Sequence, residues 1–166
     1  MNMEILKKNI KLLVMPLASF ALLGCSALPI ETALEDNHFR LENFKRDNTD
    51  NFEHVYLMCA NQKPASFIHP KQHLSGQHSL WVKAELKRRN IDFSERVAVV
   101  NFNVNLEADK SYMLNREVMK DSEKIALWIQ ETDTGVGVSE VIIADLAHPK
   151  ANEYFHELKQ CRTGSV

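Results

Sequence analysis

The sequence predicts a mainly β fold: an antiparallel β-sandwich of about six to seven strands, closed by one C-terminal α-helix and preceded by an export signal and a tether. Three observations predict it. From residue 54 onward apolar residues recur at every second position, the period of a half-buried strand. The patterned runs are short and separated by polar turns, the spacing of sandwiches and barrels. Near the C-terminus the period changes: Tyr154, Phe155, Leu158 and Cys161 recur at helical spacing.

The first segment is not part of that fold. Met1–Lys11 is basic, and Leu12–Leu23 is an apolar run broken by Pro16 and Ser19. A run this short falls below the roughly 20 residues a spanning helix needs, and the order of basic then apolar segments is that of a secretory signal. Residues 1–24 are therefore read as a signal peptide. Lys7, Lys8 and Lys11 against Glu4 give that segment +2, so a whole-chain charge of −2 becomes −4 after its removal. A mildly acidic chain without a clustered basic face excludes a nucleic-acid partner.

Residues 25–50 are rich in charge and carry no strand alternation. They are read as a tether with at most a short surface helix, which places the folded domain at 51–166. Within it His54–Ala60 is the first strand and Phe67–His69 a short second one. His78–Leu86 alternates, with Leu80, Val82, Ala84 and Leu86 on one face and Trp81, Lys83 and Glu85 on the other. Arg96–Leu106 is the clearest strand, with Ala98, Val100, Phe102, Val104 and Leu106 turned inward. Ser111–Val118 follows the turn at Glu107–Lys110. A further strand carries Ile125, Leu127 and Ile129 on one face. Asp133-Thr134-Gly135 is a turn, since Asp and Gly favour reversals, and Val136–Ala144 is the last strand. Pro149 suits the first turn of the closing helix.

The tetrapeptide Leu22-Leu23-Gly24-Cys25 resembles the lipobox of bacterial lipoproteins. That resemblance implies cleavage before Cys25 and a diacylglycerol and an N-acyl chain on that residue, the only cofactor-like group expected. Several acyl chains together anchor a protein stably where one does not. Ser26, in place of an aspartate, implies the outer membrane, with the domain facing the periplasm. The implied partners are the bilayer itself, another envelope protein or an anionic lipid. Residues 74–143 are similar to PEGA-like β-sandwich modules of small envelope lipoproteins. The residues concerned are Leu74–Val82, Asn101–Leu106, Ala108-Asp109-Lys110-Ser111-Tyr112, and Ala126–Ile129 through Asp133-Thr134-Gly135. Ser75 and Asp109 depart from the pattern's usual proline and glycine. The similarity implies a sandwich and no catalytic residues.

Lipidation leaves Cys59 and Cys161, and an exported compartment favours a disulfide between them over two buried thiols. His69, His73 and His78 are the candidate metal ligands, and a periplasmic metal-binding protein or small hydrolase built on them is the alternative to a non-catalytic module. His69 precedes Pro70, however, so no regular helix spaces the set. Asp133-Thr134-Gly135 lacks the apolar strand and second carboxylate of an aspartic-protease site. Lys83, Lys87, Arg88 and Arg89 form a basic run, read as solvated or as a contact for anionic lipid. Trp81 is either a contact residue or covered by the closing helix through Tyr154 or Phe155.

Overall fold

The computed structural model describes residues 33–65, 71–120 and 122–164. Two sheets face one another, and one helix lies at the C-terminal end of the chain. The first sheet takes β1 (His38–Glu42), β5 (Lys71–Leu74), β8 (Ser111–Val118), β9 (Lys124–Glu131) and β10 (Ile142–Asp145), in the order β10-β9-β8-β1-β5. The second takes β2 (Phe44–Asp47), β3 (Asn51–Ala60), β6 (Gly76–Arg88) and β7 (Arg96–Leu106) in that order, with the short β4 (Lys63–Pro64) beside β3. Helix α1 spans Glu153–Thr163. Among the described residues no helix is long and apolar enough to cross a membrane.

The strands form where the alternation says they should. On β7, Ala98, Val100, Phe102, Val104 and Leu106 are all buried, and Asn103 and Asn105 are exposed. Leu80, Val82 and Ala84 of β6 and Leu114, Ile125, Leu127 and Ile129 of β8 and β9 meet them in one core. Each valine, leucine, isoleucine or phenylalanine among them contributes about 1.5–3 kcal/mol by leaving water, and each alanine less. Tyr112 pins the corner between β7 and β8: its ring is 2% exposed, and its hydroxyl accepts the Glu107 N–H at 3.1 Å.

Three expectations are corrected. The tether ends earlier than residue 50, because β1 and β2 lie within 25–50, and the folded domain starts before residue 51. Phe39 and Leu41 are 0% and 3% exposed, and β1 pairs with β8 in parallel, the one parallel strand pair among the described residues. Two buried apolar residues are too few to raise a strand signal in so charged a stretch; the pairing with β8 supplies the rest. The last strand is shorter than Val136–Ala144. Only Ile142–Asp145 pairs with β9 as a strand, and Gly137 makes a single bridge to Gln130. The helix starts at Glu153 and not at Pro149, behind Asn152 in the left-handed region. The short strand expected at Phe67–His69 lies at residues outside those described, except that β5 follows at Lys71.

A register shift lies inside β3. The register against β6 runs Val55 with Ala84 and Leu57 with Val82, then skips Met58 and pairs Cys59 with Trp81. Simple alternation would put Cys59 beside Val55 and Leu57 in the core. One extra residue turns it to the opposite face of the sheet, as a β-bulge does. That outer face is where α1 lies.

Candidate functional site

A group of titratable side chains sits between α1 and the outer face of the second sheet. The strands supply it by parity: His54 and Tyr56 on β3, and Lys83 and Glu85 on β6, all point away from the core. The helix supplies Glu153 and Glu157, four residues apart and so on one face. Lys83 Nζ stands 2.9 Å from Glu157 Oε1, 3.3 Å from Glu153 Oε2 and 3.6 Å from Glu85 Oε1. Tyr56 donates its hydroxyl to Glu85 Oε1 at 2.7 Å, and its ring centroid lies 4.7 Å from that of His54. A cleft of about 330 Å³ opens here, walled by His54, Tyr56, Met58, Glu85, Glu157 and Leu158 among others.

The electrostatics of the group follow from this crowding. Burial works against the charge on Lys83, but Glu157 and Glu153 outweigh it and hold the ammonium above its ordinary range. Burial, and then the bond to Glu85, push the Tyr56 phenol well above its usual value. Burial lowers His54, partly offset by Glu85 and reinforced by Lys45, so its imidazole favours the neutral form. A lysine held charged and a phenol held protonated are poor nucleophiles. The arrangement is a clamp of carboxylates on one ammonium, and it fixes the helix to the sheet.

The Cys59–Cys161 pair completes the clamp. The two sulfurs are at disulfide distance, 2.01 Å, with Cα atoms 5.8 Å apart, as expected from the sequence. Glu153, Glu157 and Cys161 form the inward stripe of α1. Of the expected stripe, Cys161 faces inward and Leu158 is half-buried, whereas Phe155 is corrected to the outer side at 72% exposed and Glu157 is buried; the side chain of Tyr154 lies outside those described. Phe155 therefore does not cover Trp81, which is half-buried opposite Cys59.

His73 and His78 pack against β1. His78 is 8% exposed and uses both ring nitrogens: Nε2 meets the Leu74 carbonyl at 2.8 Å and Nδ1 meets Asn61 Nδ2 at 3.1 Å. Asn61 Oδ1 accepts the Ser79 N–H, so its amide nitrogen is the atom turned to the ring; Nδ1 of His78 is then the acceptor and Nε2 carries the proton. His73 stacks on Phe39 at 5.5 Å, and His78 meets the same ring edge-on at 5.1 Å. His69 lies outside the described residues. Among the described residues no group of His, Cys, Asp and Glu stands together as metal ligands.

The basic run divides. Lys83 is 5% exposed beneath α1 and is no surface residue, which corrects its place in a contact patch. Arg89 pairs with Asp47, whereas Lys87 and Arg88 remain exposed at the sandwich end. There a second cleft of about 470 Å³ lies between Phe52, Arg88, Ile91, Phe93, Val118 and Leu146. Asp133-Thr134-Gly135 is a turn as expected, with Gly135 at a φ of 69° and Thr134 donating to Glu131. The sequence reading missed the Tyr56–Glu85–Lys83 group. Its one legible signal was the placing of Tyr56 and Lys83 on outward-facing positions and of Glu153 and Glu157 one helical turn apart. Comparison with protein-family models, with curated proteins and with solved structures finds no match.

Proposed function

We propose that this chain is a lipid-anchored protein of the bacterial cell envelope, held in the outer membrane through Cys25, and that its sandwich is a non-catalytic binding or structural module. The observation that carries the reading is Leu22-Leu23-Gly24-Cys25 behind a basic and then an apolar segment. The Cys59–Cys161 pair supports it, because such bonds persist in exported, oxidising compartments. The commitments of the titratable groups support the non-catalytic half. Lys83 is spent on three carboxylates and His78 on two hydrogen bonds, so neither stands ready to transfer a proton.

The test is Cys25→Ala in the native host, followed by feeding an alkyne-tagged fatty acid and separating membrane from soluble fractions. The wild-type chain is expected to take the label and sediment with membranes. The variant is expected to lose the label and to keep its first 24 residues. A variant that labels as strongly as wild type would refute the anchor.

A further inference from the structure

We propose that the cleft of about 470 Å³ at the β6–β7 end of the sandwich holds a long-chain fatty acid, its alkyl chain between the sheets and its carboxylate on Arg88 and Lys87. This gives the module proposed above a ligand, and it rests on the binding half of that reading, not on the anchor. The cleft opens where the core runs out. Leu86 of β6 is half-buried against the core, Leu146 is 8% exposed, and Val118 at the end of β8 is 38% exposed. The apolar layer between the sheets therefore continues to the mouth. The volume lies toward the small end of the range for ligand cavities and suits one alkyl chain.

The hairpin that joins β6 to β7 adds uncovered apolar surface at the lip. Among the described residues Phe93 is the most exposed large hydrophobic, at 90%, and Ile91 is 50% exposed. Phe93 also has a φ of 57°, a region that a bulky side chain rarely enters. The hairpin is nonetheless pinned. Ser94 Oγ accepts the Arg88 N–H at 2.9 Å and donates to the Arg88 carbonyl at 2.7 Å, and the Phe93 carbonyl accepts from Arg96 at 3.3 Å. A held hairpin that turns an aromatic ring to water beside an apolar cleft is arranged to cover something apolar.

Charge and backbone together select the occupant. The inward parity of Leu80, Val82, Ala84 and Leu86 puts Arg88 next, at the mouth, with Lys87 beside it. Among the described residues neither has an ion partner. Two carboxylates of the lining are matched: Glu53 pairs with Arg116, and Glu123 stands 3.7 Å from Arg96. Asp92 alone is left against the two free cations, so the mouth keeps an excess of positive charge. A peptide strand would need open backbone groups, and those at the mouth are taken. Besides the Ser94 bonds, the Arg89 N–H donates to the Asp50 carbonyl, the Leu146 N–H donates to that of Glu123, and Val97 and Ala147 exchange both bonds. What fits is a ligand with an apolar body, an anionic end and no need of a ladder.

Photolabelling tests this on the envelope-extracted chain in nanodiscs of zwitterionic lipid. The probe is a stearic acid with a mid-chain diazirine and a terminal alkyne. Adducts are expected to map to residues 86–94 and 118–124, and excess plain stearate to displace them. Arg88→Glu, at an exposed side chain, should lower labelling about tenfold or more. Val118→Trp, which fills the mouth, should abolish it; if that variant fails to fold, Arg88→Glu carries the test. Adducts spread evenly over the chain overturn the proposal. So does a folded Arg88→Glu chain that labels like wild type, or labelling by a diazirine-bearing phosphatidylglycerol but not by the free acid. A chain that does not enter the discs speaks against the anchor alone, and the same labelling is then read in buffer with the same outcomes.

Discussion

His54 shows how a single side chain is shaped by the cover above it. Its imidazole lines the cleft under α1, and burial there favours the neutral form. The folded value lies below the unfolded 6.5, so the residue costs nothing above that pH. Below 6.5 the unfolded chain takes up a proton that the folded chain refuses, and stability falls with pH until the folded value is passed. One proton limits the slope to about 1.4 kcal/mol per pH unit. Urea unfolding between neutral and mildly acid pH should therefore be steeper in wild type than in His54→Gln. Equal slopes would place the acid sensitivity elsewhere. Lys83 has the opposite sign: its charge is held by Glu157 and Glu153, so its contribution persists below 10.5 and is lost only at higher pH.

At the scale of elements, α1 is the part least able to stand alone. It has 11 residues, shorter than an isolated helix needs to persist in water. Among the described side chains, two glutamates and a cysteine with half-buried Leu158 face the sheet, and Phe155 points to solvent. What holds it is the bond to Cys59 and the clamp on Lys83. A link closing a separation of 102 residues stabilises by about 4–5 kcal/mol if it acts through chain entropy. Reduction by a dithiol, or Cys161→Ala, should lower the melting temperature and speed amide exchange along Glu153–Thr163 before the strands. Trp81 reports on it directly, because it sits opposite Cys59 in register and a disulfide quenches a neighbouring indole. Its emission should rise on reduction. A helix that stays protected after the bond is cut would show that the ion pairs suffice.

For the whole molecule, the sandwich was legible because burial on one face writes alternation into the chain. Arg96–Leu106 and Ser111–Val118 emerge as strands with the bounds read from sequence. The features that escaped depend on contacts distant in sequence. Phe39 and Leu41 form a strand because β8 lies beside them, and Cys59 faces the helix because Met58 bulges from β3. Phe155 was read as inward from its spacing, but the clamp on Lys83 turns Glu153 and Glu157 to the sheet and leaves Phe155 exposed. At the site, the cysteine pair was readable by counting. The lysine clamp was not, since it needs the bulge, the helix rotation and the β3–β6 register together. Of the candidate ligand histidines, His73 and His78 pack against Phe39, a contact that their spacing in sequence does not show.

The central claim is that the chain is exported, trimmed before Cys25, lipidated there and closed by Cys59–Cys161. Intact mass spectrometry of the protein extracted from its native envelope tests all of it at once. Expected is a chain that begins at Cys25 and carries the added mass of a diacylglycerol and an N-acyl group, with a further gain of two hydrogens on reduction. A chain that retains residues 1–24, or one that begins elsewhere and carries no lipid, would contradict it.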